Sequence, residues 1–196
     1  MRTLAFFDLD GTITRADTML EFLAFAKGWF RLYLLLACVL PAWCLAKLKA
    51  CPADAPKRAL VRLAFAGRPT ARWQQLAARF CRERIPLLLR PGAMACIKGH
   101  QEQGHEVVIV TASCALWVED WCREHGLGLI ATGLETMDGT YTGKLSTPNC
   151  KGAEKVRRIH AAFGQLRDAQ VYAYGDTPSD KPMLALAGKP GYKPFR

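Results

Sequence analysis

Apolar residues gather in three short runs, each ending on polar residues. Leu4-Ala5-Phe6-Phe7 leads into Asp8, Val107-Val108-Ile109-Val110 into Thr111, and Val171-Tyr172-Ala173-Tyr174 into Gly175-Asp176. Unbroken runs of this length fit strands covered on both faces, as in a parallel sheet. Helical periodicity precedes the later two, from Pro91 to about Gln103 and from Gly152 to about Phe163. Such alternation predicts an α/β fold with a doubly wound, Rossmann-like parallel sheet, whose ligands sit beyond the carboxyl ends of the strands. The three polar endings would then meet along one edge. Asp138-Gly139 predicts the turn of a hairpin between Leu134 and Leu145.

The stretch after the first run is helical in pattern. Asp17-Thr18 can open a helix with Met19, Phe22, Leu23 and Ala26 on one face. Pro52 and Pro56 break the pattern, and helices are expected over Lys57–Ala66 and Thr70–Arg84. Residues 15–85 thus read as a small helical cap inserted after the first strand, with 1–14 and 86–196 forming the α/β core. The apolar run Leu32–Ala46 is 15 residues long, about 22 Å as a helix. A bilayer core of roughly 30 Å needs about 20 residues. The run is therefore expected to be a buried helix of the cap, in preference to an interfacial element and not a span.

Net charge is +10, and its placement changes the picture. Arg15 to Arg90 holds 14 Lys+Arg against 4 Asp+Glu, while the rest of the chain holds 13 of each sign. One segment is both basic and greasy, which suits an acidic surface or an anionic amphiphile; solvated outer helix faces are the plain alternative. The 8 cysteines include no C-x-x-C pair, arguing against zinc and for free thiols in a reducing cytoplasm. With no export signal read at the N-terminus, the expected location is cytoplasmic, or peripheral at the inner face of the membrane. No nucleic-acid motif is present, so no such partner is expected. Trp117 and Trp121, four residues apart, should face the core, whereas His100, His105, His125 and His160 lack ligand spacing and suit surface or helix-end positions.

The candidate chemistry lies at the strand ends. In Asp8-Leu9-Asp10-Gly11-Thr12, two carboxylates close a buried strand, a costly arrangement unless they bind a cation or react. A carboxylate such as Asp8 can attack phosphorus, and a second such as Asp10 can carry the proton. Asp176, with Asp180 close behind, could supply hard oxygen ligands to Mg2+. Thr111, Ala112 and Ser113 could offer hydroxyls and backbone N–H groups to phosphate, and Lys151 could neutralise charge developing beside Asp8.

In this order, these pieces resemble the haloacid dehalogenase superfamily, in its phosphoserine phosphatase-like subgroup. The resemblance implies Asp8 as nucleophile, Asp10 as general acid/base, Thr111 in the second motif and Lys151 in the third. Gly175-Asp176 with Asp180 matches the fourth. It also implies Mg2+ held by Asp8, the Asp10 carbonyl and Asp176, with Asp180 as an additional or outer partner. Lys151 lies slightly farther upstream of Asp176 than the family pattern has it, Thr111 replaces a serine, and Ser179 replaces an asparagine. Asp17 stands where phosphoserine phosphatases carry a glutamate that grips the substrate amine; here it either grips an amine or caps the first cap helix. The implied activity is a Mg2+-dependent phosphomonoesterase working through an aspartyl-phosphate. The basic, apolar cap points to an anionic lipid-like phosphate and to peripheral contact with an anionic membrane. The alternatives are a small amine-bearing ester such as phosphoserine or histidinol phosphate, a phosphotransferase, and a non-catalytic module for anionic surfaces.

Overall fold

The computed structural model describes residues 2–196. Strand β1 (Arg2–Phe7) is followed by a tight loop and the helices α1 (Thr18–Lys27), α2 (Trp29–Lys47) and α3 (Ala55–Phe65). A two-residue strand β2 (Arg68–Pro69) leads into α4 (Thr70–Glu83), α5 (Ile85–Leu88) and α6 (Pro91–Glu102). Then come β3 (Glu106–Cys114), α7 (Glu119–Glu124), β4 (Gly128–Thr132), and the hairpin β5 (Leu134–Met137) and β6 (Thr140–Leu145). The chain closes with α8 (Ala153–Phe163), β7 (Ala169–Gly175), α9 (Lys181–Leu184) and β8 (Lys189–Tyr192).

The main sheet has the order β4-β3-β1-β7-β8, with every neighbouring pair parallel. β1 is central, which is why Leu4 to Phe7 are buried without alternation. From β1 the chain builds outward through β3 and β4 on one side, then returns across the sheet to lay β7 and β8 on the other. A crevice therefore opens at the carboxyl end of β1, the usual ligand position in such sheets. The Asp138-Gly139 turn has φ of 48° and 73°, the paired positive values of a type I′ hairpin. β2 pairs with β6, so the insertion shares a small antiparallel sheet with the hairpin.

One apolar cluster runs through the insertion and one face of the main sheet. Trp117, just past β3, stacks on Phe22 of α1 and Phe65 of α3, with ring centres 5.2 and 6.3 Å apart. Phe22 also meets Trp73 and Phe80 of α4 edge-on. Trp117 and Trp121 are both fully buried, as the spacing predicts. His100 departs from its expectation: it is buried, bonded to His105 and to the Tyr174 hydroxyl.

The structure also corrects the reading of the long apolar run. α2 has 19 residues, because Trp29, Phe30, Arg31 and Lys47 join the helix, and by length and composition it could cross a membrane. It is not a buried helix: Leu32 and Val39 alone are fully covered, on the side facing α1 and α3. Local apolarity implied burial, but only one side of the helix has neighbours to cover it.

Candidate active site

The loop after β1 is wound around a single carbonyl. The N–H groups of Thr12, Ile13 and Thr14 all donate to the Leu9 oxygen, while Leu9 and Ile13 are buried as anchors. Gly11 makes the turn at φ 85°, and a Cβ there would lie 2.5 Å from Asp176 Oδ2. That close approach presses β1's loop against the end of β7. Thr12 Oγ1 spans the seam, 3.3 Å from Asp8 Oδ2 and 3.4 Å from Asp176 Oδ1.

Asp8, Asp176 and Asp180 are buried, and each offers a carboxylate oxygen within 4.8 Å of the others. Such convergence of acids needs cations. One is supplied by Lys155 of α8, whose Nζ donates to Asp8 Oδ1 at 2.6 Å and Asp180 Oδ1 at 2.7 Å. Burial pushes the Lys155 ammonium down, but Asp8 and Asp180 outweigh it and hold the group above its ordinary value. For Asp8, burial dominates over Lys155, and its carboxyl is raised to about 6. Asp180 is also penalised by burial, yet Lys155 and the Thr177 donors hold it low. A second cation, the Arg196 guanidinium, pairs with Asp176 Oδ2.

Asp10 is placed differently. Its Oδ1 accepts from the Thr18 N–H at 2.7 Å, and its Oδ2 from the Ser113 hydroxyl at 2.6 Å. Enclosure and then the Asp17 charge raise its carboxyl to about 7, against the pull of Ser113. Ser113 is itself tied to Thr18 Oγ1, on which Trp117 Nε1 also donates. Ser113 is thus engaged in orienting Asp10, although the sequence offered it as a phosphate ligand. Thr111 is fully buried, with Oγ1 accepting from the Ser113 N–H, while Ala112 reaches the cavity wall.

Asp17 is the N-cap of α1, its Oδ1 accepting from the Met19 and Leu20 N–H groups at 3.0 and 3.1 Å. It also lines the cavity of about 340 Å³ that holds Asp8, Asp10 and Lys155. Lys151 lies on that cavity's rim, exposed, with the buried contact to Asp8 made by Lys155 one helical turn later. Lys155 shares the buried face of α8 with Ile159, whereas Lys151 precedes the helix, ahead of its Gly152 cap. Sequence reasoning also passed over Lys57 of α3, which reaches from the insertion to the Ala112 carbonyl and to Asn149 Oδ1. Its place on the face of Leu60, Val61 and Ala64 marks it as inward-facing.

The donor set suits a hard divalent ion: aspartate oxygens only, three clustered carboxylates against the two cations Lys155 and Arg196. Asp8 and Asp176 would offer it carboxylate oxygens. Asp180 fits a supporting place, since Oδ1 takes Lys155 and Oδ2 takes the Thr177 N–H and hydroxyl.

A parallel α/β sheet with acids from two of its central strands converging at the switch point defines a hydrolase-type site for phosphate esters or related groups. The chain belongs to the haloacid dehalogenase-like hydrolases, whose family model matches residues 5–185. It is 36% identical to Protein CicA of Caulobacter vibrioides, over 98% of this chain and 86% of that protein. It is 32% identical to the Probable phosphatase Rv3661 of Mycobacterium tuberculosis, over 95% of this chain and 67% of that one. A solved structure of a phosphoserine phosphatase in its apo form shares the fold, with TM-score 0.64 and 22% identity over 97% of this chain and 85% of that one.

Proposed function

We propose that this hydrolase is a Mg2+-dependent phosphomonoesterase in which Asp8 becomes transiently phosphorylated. The observation that carries the reading is the trio of aspartate oxygens, with Lys155 bonded to Asp8 and Asp10 beside it carrying a raised carboxyl. Bound Mg2+ would supply positive charge to the phosphate. Lys155 favours the ionised form of Asp8 against burial and aims it, Asp8 Oδ2 attacks phosphorus, and the ester P–O bond breaks. Asp10 gives its proton to the leaving oxygen. It then takes a proton from water, whose oxygen attacks the phosphorus and releases phosphate, restoring Asp8. A carboxyl near 7 suits that double duty, and Ser113 with the Thr18 N–H keeps it in place.

For the substrate, an anionic amphiphile is the reading we favour. A cavity of about 1190 Å³ is separate from the smaller one holding the carboxylates, where those acids favour the reaction. The larger is an open groove between α3 and β6 with Arg58, Arg62 and Lys144 among Leu63 and Leu145. Lys57 links Asn149 on the wall of this groove to the Ala112 carbonyl on the wall of the acid-lined cavity, which supports an apolar tail in one and a reacting phosphate in the other. The same reading puts the protein at the inner face of the cytoplasmic membrane, in peripheral contact, with residues 15–85 as the cap. Asp17, lining the reacting cavity, supports a second reading in which a small amine-bearing monoester is taken.

Phosphate release from micellar lipid phosphates and from phosphoserine and histidinol phosphate, with Mg2+ or with chelator, separates these. Metal-dependent release from lipid phosphates is expected. Turnover of amine esters with lipid phosphates ignored would favour Asp17's reading, and no metal-dependent release from a broad panel of esters would refute phosphatase function.

A further inference from the structure

α2 carries apolar residues on the side away from the protein as well as toward it. Its inner stripe, Leu32, Leu35, Leu36 and Val39, seats on α1 and α3. On the outer side Phe30 is 75% exposed and Tyr33 62%, with Leu34, Leu40 and Leu45 each about half exposed. Single exposed apolar residues are ordinary, but an exposed apolar side running along a 19-residue helix is not. Trp29 and Trp43 sit toward the two ends, where ring systems favour a boundary between water and hydrocarbon. From Phe22 to Ala53 there is no Asp or Glu, whereas Lys27, Arg31, Lys47 and Lys49 flank the apolar stretch.

We propose that α2 lies in the plane of an anionic lipid bilayer, outer face in the acyl boundary and flanking cations at the headgroups. Its length of about 28 Å would span only by standing upright. Standing upright would pull Leu32 and Val39 away from the cluster they complete with α1 and α3, so the packed helix can only lie flat. A second copy of the chain is a poorer occupant. Pairing this face with itself in either direction sets its cations against one another, with no acid on the helix to answer them. Anionic headgroups answer them directly. The inference concerns the outer face alone and stands whether or not the acid site hydrolyses lipid phosphates.

The test uses the full chain and vesicles of phosphatidylcholine with or without one-third phosphatidylglycerol, read by co-sedimentation and by tryptophan emission. Binding with a blue shift is expected on the anionic vesicles, weakened at least tenfold by Leu34→Glu/Leu45→Glu. Arg31→Glu/Lys49→Glu should abolish the preference for phosphatidylglycerol. Circular dichroism and p-nitrophenyl phosphate hydrolysis check that the variants stay folded, and the hydrolysis also reports the acid site separately. No vesicle binding by the wild type, binding unchanged in both variants, or resistance of the bound protein to alkaline carbonate would overturn the proposal. So would a wild-type dimer in sedimentation equilibrium that Leu34→Glu/Leu45→Glu dissociates.

Discussion

Replacing Lys155 with methionine removes one ammonium from the interior and keeps its length. Asp8 and Asp180 are then left facing each other without the cation that bonds both. Breaking a buried ion pair by deleting one partner costs about 3–5 kcal/mol. At about 2–4 °C per kcal/mol for a chain of this size, the metal-free protein should melt roughly 6–20 °C lower. Added Mg2+ should recover part of that loss, because it answers the same carboxylates. Turnover should fall by about 10²–10³-fold, as on removal of one donor that balances developing charge. Lys151→Met is the control: the side chain is exposed, so melting should move by no more than about 2 °C and turnover by less than tenfold. The assay is steady-state hydrolysis of p-nitrophenyl phosphate at saturating Mg2+, beside thermal melts with Mg2+ and with chelator. If Lys155→Met kept turnover within threefold of wild type while Lys151→Met collapsed, the structural assignment would be wrong and the lysine implied by the resemblance right.

Without metal, Asp8 and Asp10 bind protons more tightly folded than unfolded, with carboxyls raised to about 6 and about 7 from 3.8. Their stabilising effect is therefore fully present below pH 4 and is lost as pH rises through 6 to 7. In chelator, their share of the stability should decline from pH 5 to 7.5; a melting temperature whose pH dependence is unchanged in Asp10→Asn would contradict this. Gly11→Ala places a Cβ 2.5 Å from Asp176 Oδ2 at a backbone angle L-residues avoid. It should lower stability by about 1–3 kcal/mol and weaken the Mg2+-induced rise in melting temperature, and an unchanged rise would show that Asp176 does not depend on this contact.

The legible parts of the fold were those written in short-range pattern. β1, β3 and β7 stand where their apolar runs put them, and Asp17 caps α1 as its position before Thr18 implies. Asp8, Asp10 and Asp176 follow, since residues ending parallel strands share an edge. What escaped depends on distant partners. β2 is two residues long and exists by pairing with Tyr141 and Thr140, some seventy positions away. Lys151 and Lys155, four residues apart, would share one helical phase; choosing between them requires knowing that α8 begins only after Gly152, which leaves Lys151 outside the helix. Exposure of α2 depends on what fails to pack over it, which no local pattern records.

The ring stack joining Trp117 to Phe22 and Phe65 limits how a molecule can get in. A hinged lid would have to part those rings and wet them, at roughly 1.5–3 kcal/mol for each side chain released. Freeing Trp117, Phe22, Phe65 and Trp73 together approaches the whole stability of an ordinary domain. The helices after β1 are therefore riveted to the core, and molecules must reach the acid cavity, lined in part by Lys151 and Ser179, without parting that stack.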